Sequence, residues 1–304
     1  MRALRAVRVR VPATTANLGP GFDCLGLALD LWNEAEFCLE GNGLSIEMRG
    51  EGAERLPKNA DNLIARTFAS VYARLGLDFP TGLRISVSSG VPTSSGLGSS
   101  AAAALLGFLG ADALTGSRLG PDEILQMASD LEGHADNASA AALGGLTVSL
   151  HTGSSWLVRR YDVPVLRAAL VLPDIDLPTS VARQALPTSI PRRDAVFNLG
   201  RTALVTEAMR AGDLDLLAQV MDDRLHQPYR LPLIRGAAEA MAAAKTLGAR
   251  AVAISGAGPS LIAFCAAESH PVGEAMAAAF ASLGVASRVF DLETTSRGAS
   301  VEAI

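Results

Sequence analysis

The feature that most constrains this chain is an alternating apolar segment, Leu83, Ile85 and Val87, that runs into Pro92-Thr-Ser-Ser-Gly-Leu-Gly-Ser-Ser100 and then into alanines. Alternation with a period of two predicts a half-buried strand leading into the loop. From Ser99 onward, Ser-Ser-Ala-Ala-Ala-Ala-Leu-Leu-Gly-Phe-Leu predicts a helix. A glycine-rich turn placed between a strand and a helix start lets backbone amides approach an anion closely. The helix N-terminus adds unsatisfied N–H groups and a favourable dipole. Ser99 and Ser100 add hydroxyls, one of them in reach of a phosphate or a magnesium ion. The alanines from Ala101 onward let the helix lie close to its neighbours. This is not a Walker A loop, because the Gly-Lys-Ser/Thr ending is missing. Nor is it a dinucleotide fingerprint, because the third glycine and its acidic position are absent. On its residues alone it is either an anion cradle or an ordinary Gly/Ser turn capping a helix.

The rest of the chain has to build a core around that turn. Its 304 residues suffice for one large or two ordinary domains, and 49% are hydrophobic, which argues against disorder. Only 5% are aromatic, so the core must come from closely packed Ala, Leu and Val. A net charge of −5 without a basic stretch makes nucleic acid an unexpected partner. Cys24, Cys38 and Cys265 are odd in number and form no CxxC pair, so neither a zinc site nor a disulfide framework is indicated. They read as small buried hydrophobes in a reducing, cytoplasmic setting. Residues 1–10 carry charge without an apolar run, unlike a secretory signal. The longest apolar stretch, residues 101–111, falls short of the roughly 20 residues a bilayer requires, so no membrane partner is expected.

Val7, Val9 and Val11 predict a strand stopped by Pro12, followed by a loop through Gly19-Pro-Gly21. Leu63, Ile64, Phe68, Val71, Tyr72 and Leu75 predict an amphipathic helix over residues 59–75, closed by Gly76. A helix over 122–131 and a strand over 146–150 follow. The pattern loosens over 159–165, and residues 168–172 read as a strand closed by Pro173. That gap divides the chain into residues 1–165 and 166–304. The second half predicts helices at 195–209, 214–221 and 233–247, strands at 251–254 and 261–265, a helix at 272–283 and a strand at 287–292. This order favours an α+β sandwich over regular βα alternation.

The string from Pro92 through Gly96-Leu-Gly-Ser-Ser100 to Ala101 and Ala102 closely resembles the second signature motif of the GHMP kinases, whose loop wraps nucleotide phosphates without a P-loop lysine. Two further stretches stand in the family's order. Pro12-Ala-Thr-Thr-Ala-Asn-Leu-Gly-Pro-Gly-Phe-Asp23 resembles the first motif in its homoserine-kinase form, and Ile254-Ser-Gly-Ala-Gly-Pro-Ser-Leu-Ile-Ala-Phe264 resembles the third. The resemblance thus spans residues 12–264. It implies a two-domain α+β fold with a C-terminal ferredoxin-like domain and the active site in the cleft between domains. ATP would lie on Pro92, Thr93, Ser94, Ser95, Gly96, Leu97, Gly98, Ser99, Ser100, Ala101 and Ala102.

Leu131-Glu-Gly-His-Ala-Asp-Asn137 crowds polar groups into one segment, which by itself is a metal corner, a solvated loop or a helix cap. It resembles the homoserine-kinase segment Glu-Gly-His-x-Asp-Asn. By that resemblance Ser100 and Glu132 hold Mg2+, His134 lines the amino-acid pocket, and Asp136, Asn137 and Thr179 lie beside the reacting hydroxyl. Asp136 as general base is a hypothesis. A homoserine pocket needs arginine for the carboxylate and oxygens for the ammonium. Asn17 and Asp23 suit the ammonium, and the segments 173–183 and 222–230 bring Arg183 and Arg230 for the carboxylate, with Arg224 and Arg235 as rivals to Arg230. The implied activity is ATP-dependent phosphorylation of the L-homoserine side-chain hydroxyl to O-phospho-L-homoserine, in threonine biosynthesis. The alternatives are a mevalonate-type or sugar kinase of the same family, or a non-catalytic ligand-binding relative. The oligomeric state, a homodimer included, is left open.

Overall fold

The alternating valines do form a strand, β1 (Ala6–Ala16), with Val7, Val9 and Val11 fully buried. The computed structural model describes residues 4–304, so Met1, Arg2 and Ala3 of the charged N-terminal stretch lie outside the described residues. Pro12 does not stop the strand. The pairing with the next strand shifts register between Pro12 and Ala13, and that bulge takes up the residue with no N–H to donate. β2 (Leu25–Cys38) and β3 (Gly43–Gly50) were not among the expected strands, although Leu44, Ile46 and Met48 alternate with exposed residues along β3. The first five residues of β2 are all buried, on both faces, so no alternation survives there.

α1 (Leu63–Arg74) opens at Asn62, whose side chain accepts from the Ile64 amide and so caps the helix. β4 (Gly82–Ser89) then leads through the glycine loop into α2 (Ser99–Leu114). α3 (Gly120–Glu132) and α4 (Asp136–Leu143) meet at a corner rather than a solvated loop, and β5 (Leu146–His151) and β6 (Trp156–Tyr161) complete the first half.

β7 (Arg167–Pro173) begins the second sheet. Between it and the next strand lie α5 (Thr179–Gln184), α6 (Arg192–Ala211), α7 (Leu214–Val220), α8 (Gln227–Arg230) and α9 (Ala237–Thr246). α9 starts later than the apolar spacing predicts because Leu231–Leu233 form a 3₁₀ turn around Pro232. β8 (Ala251–Ile254), β9 (Leu261–Cys265), α10 (His270–Ser282), β10 (Ser287–Glu293) and β11 (Ser300–Ala303) close the chain.

The first sheet runs β11-β1-β2-β4-β3, with β5 paired to β2 and β6 to β5; only β3 and β4 pair in parallel. Its last member comes from the C-terminus, so the chain returns to β1 after the second sheet is built. The second sheet runs β10-β7-β9-β8, all antiparallel, with α9 and α10 against it. Read as β7-α9-β8-β9-α10-β10, this is the ferredoxin-like order, and the whole is an α+β fold.

Three cores result. One packs α1 and α2 on the first sheet, and another packs α9 and α10 on the second. The third lies between the halves: Leu18, Leu25, Leu27 and Leu97 meet Ala168, Leu170, Ile262 and Phe264. It is this core that fixes the loops above it relative to each other.

Candidate active site

The glycine loop is held from below and open above. Leu97 is fully buried in the core between the halves, and Ser95 Oγ donates to the Pro92 carbonyl at 2.7 Å. Gly96 and Gly98 have φ of +77° and +67°, the left-handed region that disfavours any side chain. Space forbids one too. A Cβ at Gly98 would lie 2.0 Å from Thr14 Oγ1, and one at Gly96 would lie 2.2 Å from the Ser255 carbonyl oxygen. Ser255 Oγ in turn donates to the Gly96 carbonyl (2.8 Å) and shares a hydrogen bond with Thr15 Oγ1 (3.0 Å), so all three glycine-bearing segments grip one another. No side chain caps the start of α2, which leaves its first amides free to receive an anion.

Beside the loop lies an apolar pocket lined by Leu56, Pro57, Ile64, Val91, Ala103 and Leu106, which shares Ser94, Ser99 and Ser100 with the main cleft. Asn62 gives it a polar edge, its amide group donating to the Pro57 carbonyl at 2.7 Å. No sequence signal announced this pocket, because its walls come from separate segments.

At the other side of the loop, Ser100 Oγ donates to Glu132 Oε1 at 2.6 Å. Gly133 ends α3 and Asp136 opens α4, so His134, Asp136 and Asn137 are presented on a helix junction. Asp136 is 2% exposed. Its Oδ1 accepts from the Asn137 amide (2.7 Å) and pairs with His134 Nδ1 (2.5 Å). Asn137 Oδ1 accepts from Thr14 Oγ1 at 2.8 Å. Burial alone would lower the His134 pKa. The hydrogen bond and charge of Asp136, with Asp23 and Glu132 behind them, outweigh it and hold the pKa above the usual histidine range.

The far end of the cleft is built from both halves. Asn17 and Asp23 sit in the left-handed region, Asn17 donating to the Gly256 carbonyl (2.7 Å) and accepting from the Asp23 amide (2.9 Å). Arg183 forks onto Asp23 with bonds of 2.8 and 3.0 Å. Thr179, one turn earlier on α5, lines the same cleft. Arg230 is 1% exposed and, among the described residues, has no carboxylate within ion-pair distance. It makes only long bonds of 3.3 Å to the Ala182 and Gly256 carbonyls and to His226 Nδ1. Burial lowers its pKa, but an arginine stays charged, so this is a cation in need of an anion.

One cleft therefore brings together Asn17, Asp23, Ser94, Ser95, Gly96, Gly98, Ser99, Ser100, Glu132, His134, Asp136, Asn137, Thr179, Arg183 and Arg230. Leu97, Ala101 and Ala102 have buried side chains and support the loop from beneath. Pro92 faces an adjoining hollow instead, and Thr93 lines both that hollow and the apolar pocket beside the loop. Of the rivals to Arg230, Arg224 pairs with Asp194 at 3.1 Å, and Arg235 is exposed away from the cleft. Sequence reasoning missed Leu177, Ala257 and Gly258 on the wall, and Phe22, over which both arginines lie. The third glycine segment was the available signal for Ala257 and Gly258.

Comparison with known proteins identifies the family. The family model for the GHMP kinases N terminal domain matches residues 62–145, and that for the GHMP kinases C terminal matches residues 205–284. A homoserine kinase from Moorella thermoacetica is 45% identical over 294 residues, covering 96% of this chain and 99% of the relative. One from a Synechococcus species is 46% identical over 297 residues, covering 95% and 94%. The crystal structure of a homoserine kinase from Cytophaga hutchinsonii superposes with a TM-score of 0.87 at 29% identity, covering 99% of both chains. The chain belongs to the GHMP kinases, and within them to the homoserine kinase family.

Proposed function

We propose that this chain transfers the γ-phosphoryl group of ATP to the side-chain hydroxyl of L-homoserine, giving O-phospho-L-homoserine on the route to threonine. One observation carries the reading: a phosphate-type cradle and a zwitterion-matched pair, Asp23 and Arg183 with the unpaired Arg230 beside it, close the two ends of a single cleft. The relatives' name supplies the amino acid.

The adenine belongs in the apolar pocket beside the loop, with Asn62 at its polar edge, and the phosphates at the start of α2. Ser100 and Glu132 offer the hard oxygens that Mg2+ takes, and an ion that also binds phosphates needs only one or two carboxylates from protein. Such an ion would neutralise charge on the transferred group. At the acceptor end Asp23 and Asn17 receive the ammonium, and Arg183 and Arg230 the carboxylate, with His134 lining the pocket. The acceptor thereby exchanges one ion pair for two, and its hydroxyl is held toward Thr179, Asp136 and Asn137. The bonds made by His134 and Asn137 fall on Asp136 Oδ1, which leaves Oδ2 to take the hydroxyl proton. The donor end belongs to residues 1–165, and the two arginines to residues 166–304. The cytoplasm suits its three free thiols.

A coupled ADP-release assay with ATP and Mg2+ across L-homoserine, mevalonate and galactose tests this. Turnover of homoserine alone is expected. Turnover confined to another alcohol overturns the substrate, and ATP binding without any turnover overturns the enzyme.

A further inference from the structure

A buried polar cluster lies beneath the acceptor arginines, and the phosphoryl transfer itself gives it no part. His226 is fully buried. Its Nε2 lies 2.8 Å from the Gly19 carbonyl oxygen and its Nδ1 lies 3.3 Å from Arg230 Nη1. A carbonyl can only accept, so Nε2 carries the proton and Nδ1 turns its lone pair to the arginine. Burial, reinforced by Arg230 and opposed by Asp223, keeps the ring below its ordinary pKa and therefore neutral. Its face stacks on Phe22 with centroids 5.3 Å apart, and the Arg230 guanidinium lies over the same Phe22 ring at 5.2 Å.

This imidazole is itself anchored. Asp223 accepts from the amides of Leu225 (2.8 Å), His226 (2.9 Å) and Gln227 (2.6 Å), and from Asn198 Nδ2 (2.6 Å). Asn198 Nδ2 also reaches the Pro20 carbonyl at 3.2 Å, tying α6 to the same turn that His226 holds. The turn of residues 19–22 leads directly into Asp23.

We propose that His226 is a positioning residue for acceptor binding, a neutral two-point strut that sets the guanidinium of Arg230 and couples it to the turn carrying Asp23. The inference rests on the reading that Arg230 receives the acceptor's carboxylate. With no carboxylate partner among the described residues, the guanidinium is oriented in the free enzyme by the Ala182 and Gly256 carbonyls, the Phe22 ring and His226 Nδ1 together. The strut makes the spacing between the carboxylate and ammonium subsites a property of the free enzyme.

The test compares His226→Leu, His226→Gln and Arg230→Lys in the full chain, with KM for homoserine, KM for ATP and kcat measured separately. Glutamine can donate to Gly19 and accept from Arg230, whereas leucine fills the space and does neither. His226→Leu should raise the homoserine KM about tenfold to a hundredfold, the worth of one hydrogen bond to a charged group, with ATP KM and kcat within about threefold. His226→Gln should recover most of that loss. If the leucine variant does not fold, His226→Asn, too short to span both partners, takes its place. A raised homoserine KM in Arg230→Lys beside unchanged values in His226→Leu overturns the strut and leaves the carboxylate reading standing. Unchanged values in both overturn the carboxylate reading and the strut with it. A rise in both KM values, or a glutamine variant as impaired as leucine, makes His226 merely structural and overturns the inference.

Discussion

The two ends of the cleft are made in different ways. The end proposed for phosphate is backbone: one contiguous loop, two glycines packed against neighbouring segments, and a helix start with no side-chain cap. The end proposed for the acceptor is side chain. Asp23, Arg183 and Arg230 come from places far apart in the chain and meet only through the packing of the two halves. A backbone site tolerates little change in shape, because each amide is fixed by the chain that carries it. A side-chain site can lose one contact and keep the others.

The sharpest way to break this contrast is Gly98→Ala. The added carbon would fall on Thr14 Oγ1 and 2.9 Å from Asn137 Oδ1, at a left-handed φ. We expect a loss of about 10³-fold in kcat/KM for ATP, since it displaces the cradle and the Asn137 contact together. A variant within tenfold of the parent in the ADP-release assay would show that close backbone approach is not what the loop supplies. Asp136→Asn tests the junction between the two ends. It should lower kcat about 10²-fold with the ATP KM within twofold, and a loss under about tenfold would remove the general-base role.

The smallest expected effect is on stability. The folded pKa of His134 is raised, so the stability it adds is fully present below its unfolded value near 6.5 and is lost as the pH rises through the folded value. As the pH rises from 6, the parent should therefore lose more in Tm than His134→Gln, measured by calorimetry. An equal pH dependence in both would show that the His134–Asp136 pair is not linked to folding.

Legibility followed the same division. The strand, loop and helix around residues 83–114 could be read locally, because period, glycine and alanine each act on near neighbours. Pro12 misled for the same reason: its local effect is to end a strand, and only the pairing with Trp32 and the bulge after it show how the strand continues. Burial on both faces erases the period over the first five residues of β2, although the alternation returns at Asn33, Ala35 and Phe37. β11 is four exposed residues whose strand state depends on β1 lying alongside. In the site, the resemblance had favoured Arg230 over Arg224 and Arg235, and burial supplies the physical difference between them.

The sequence by itself therefore determined the kind of loop and, through three motifs in order, the family, because those depend on residue order within short spans. The tertiary structure alone decided that the fork of Arg183 closes on Asp23, that Arg230 is a buried cation without a carboxylate partner among the described residues, and that His226 stands beneath it. Those facts depend on distances between residues far apart in the chain. Such distances are set by the core between the two sheets, where Leu97 and Leu25 meet Leu170 and Phe264.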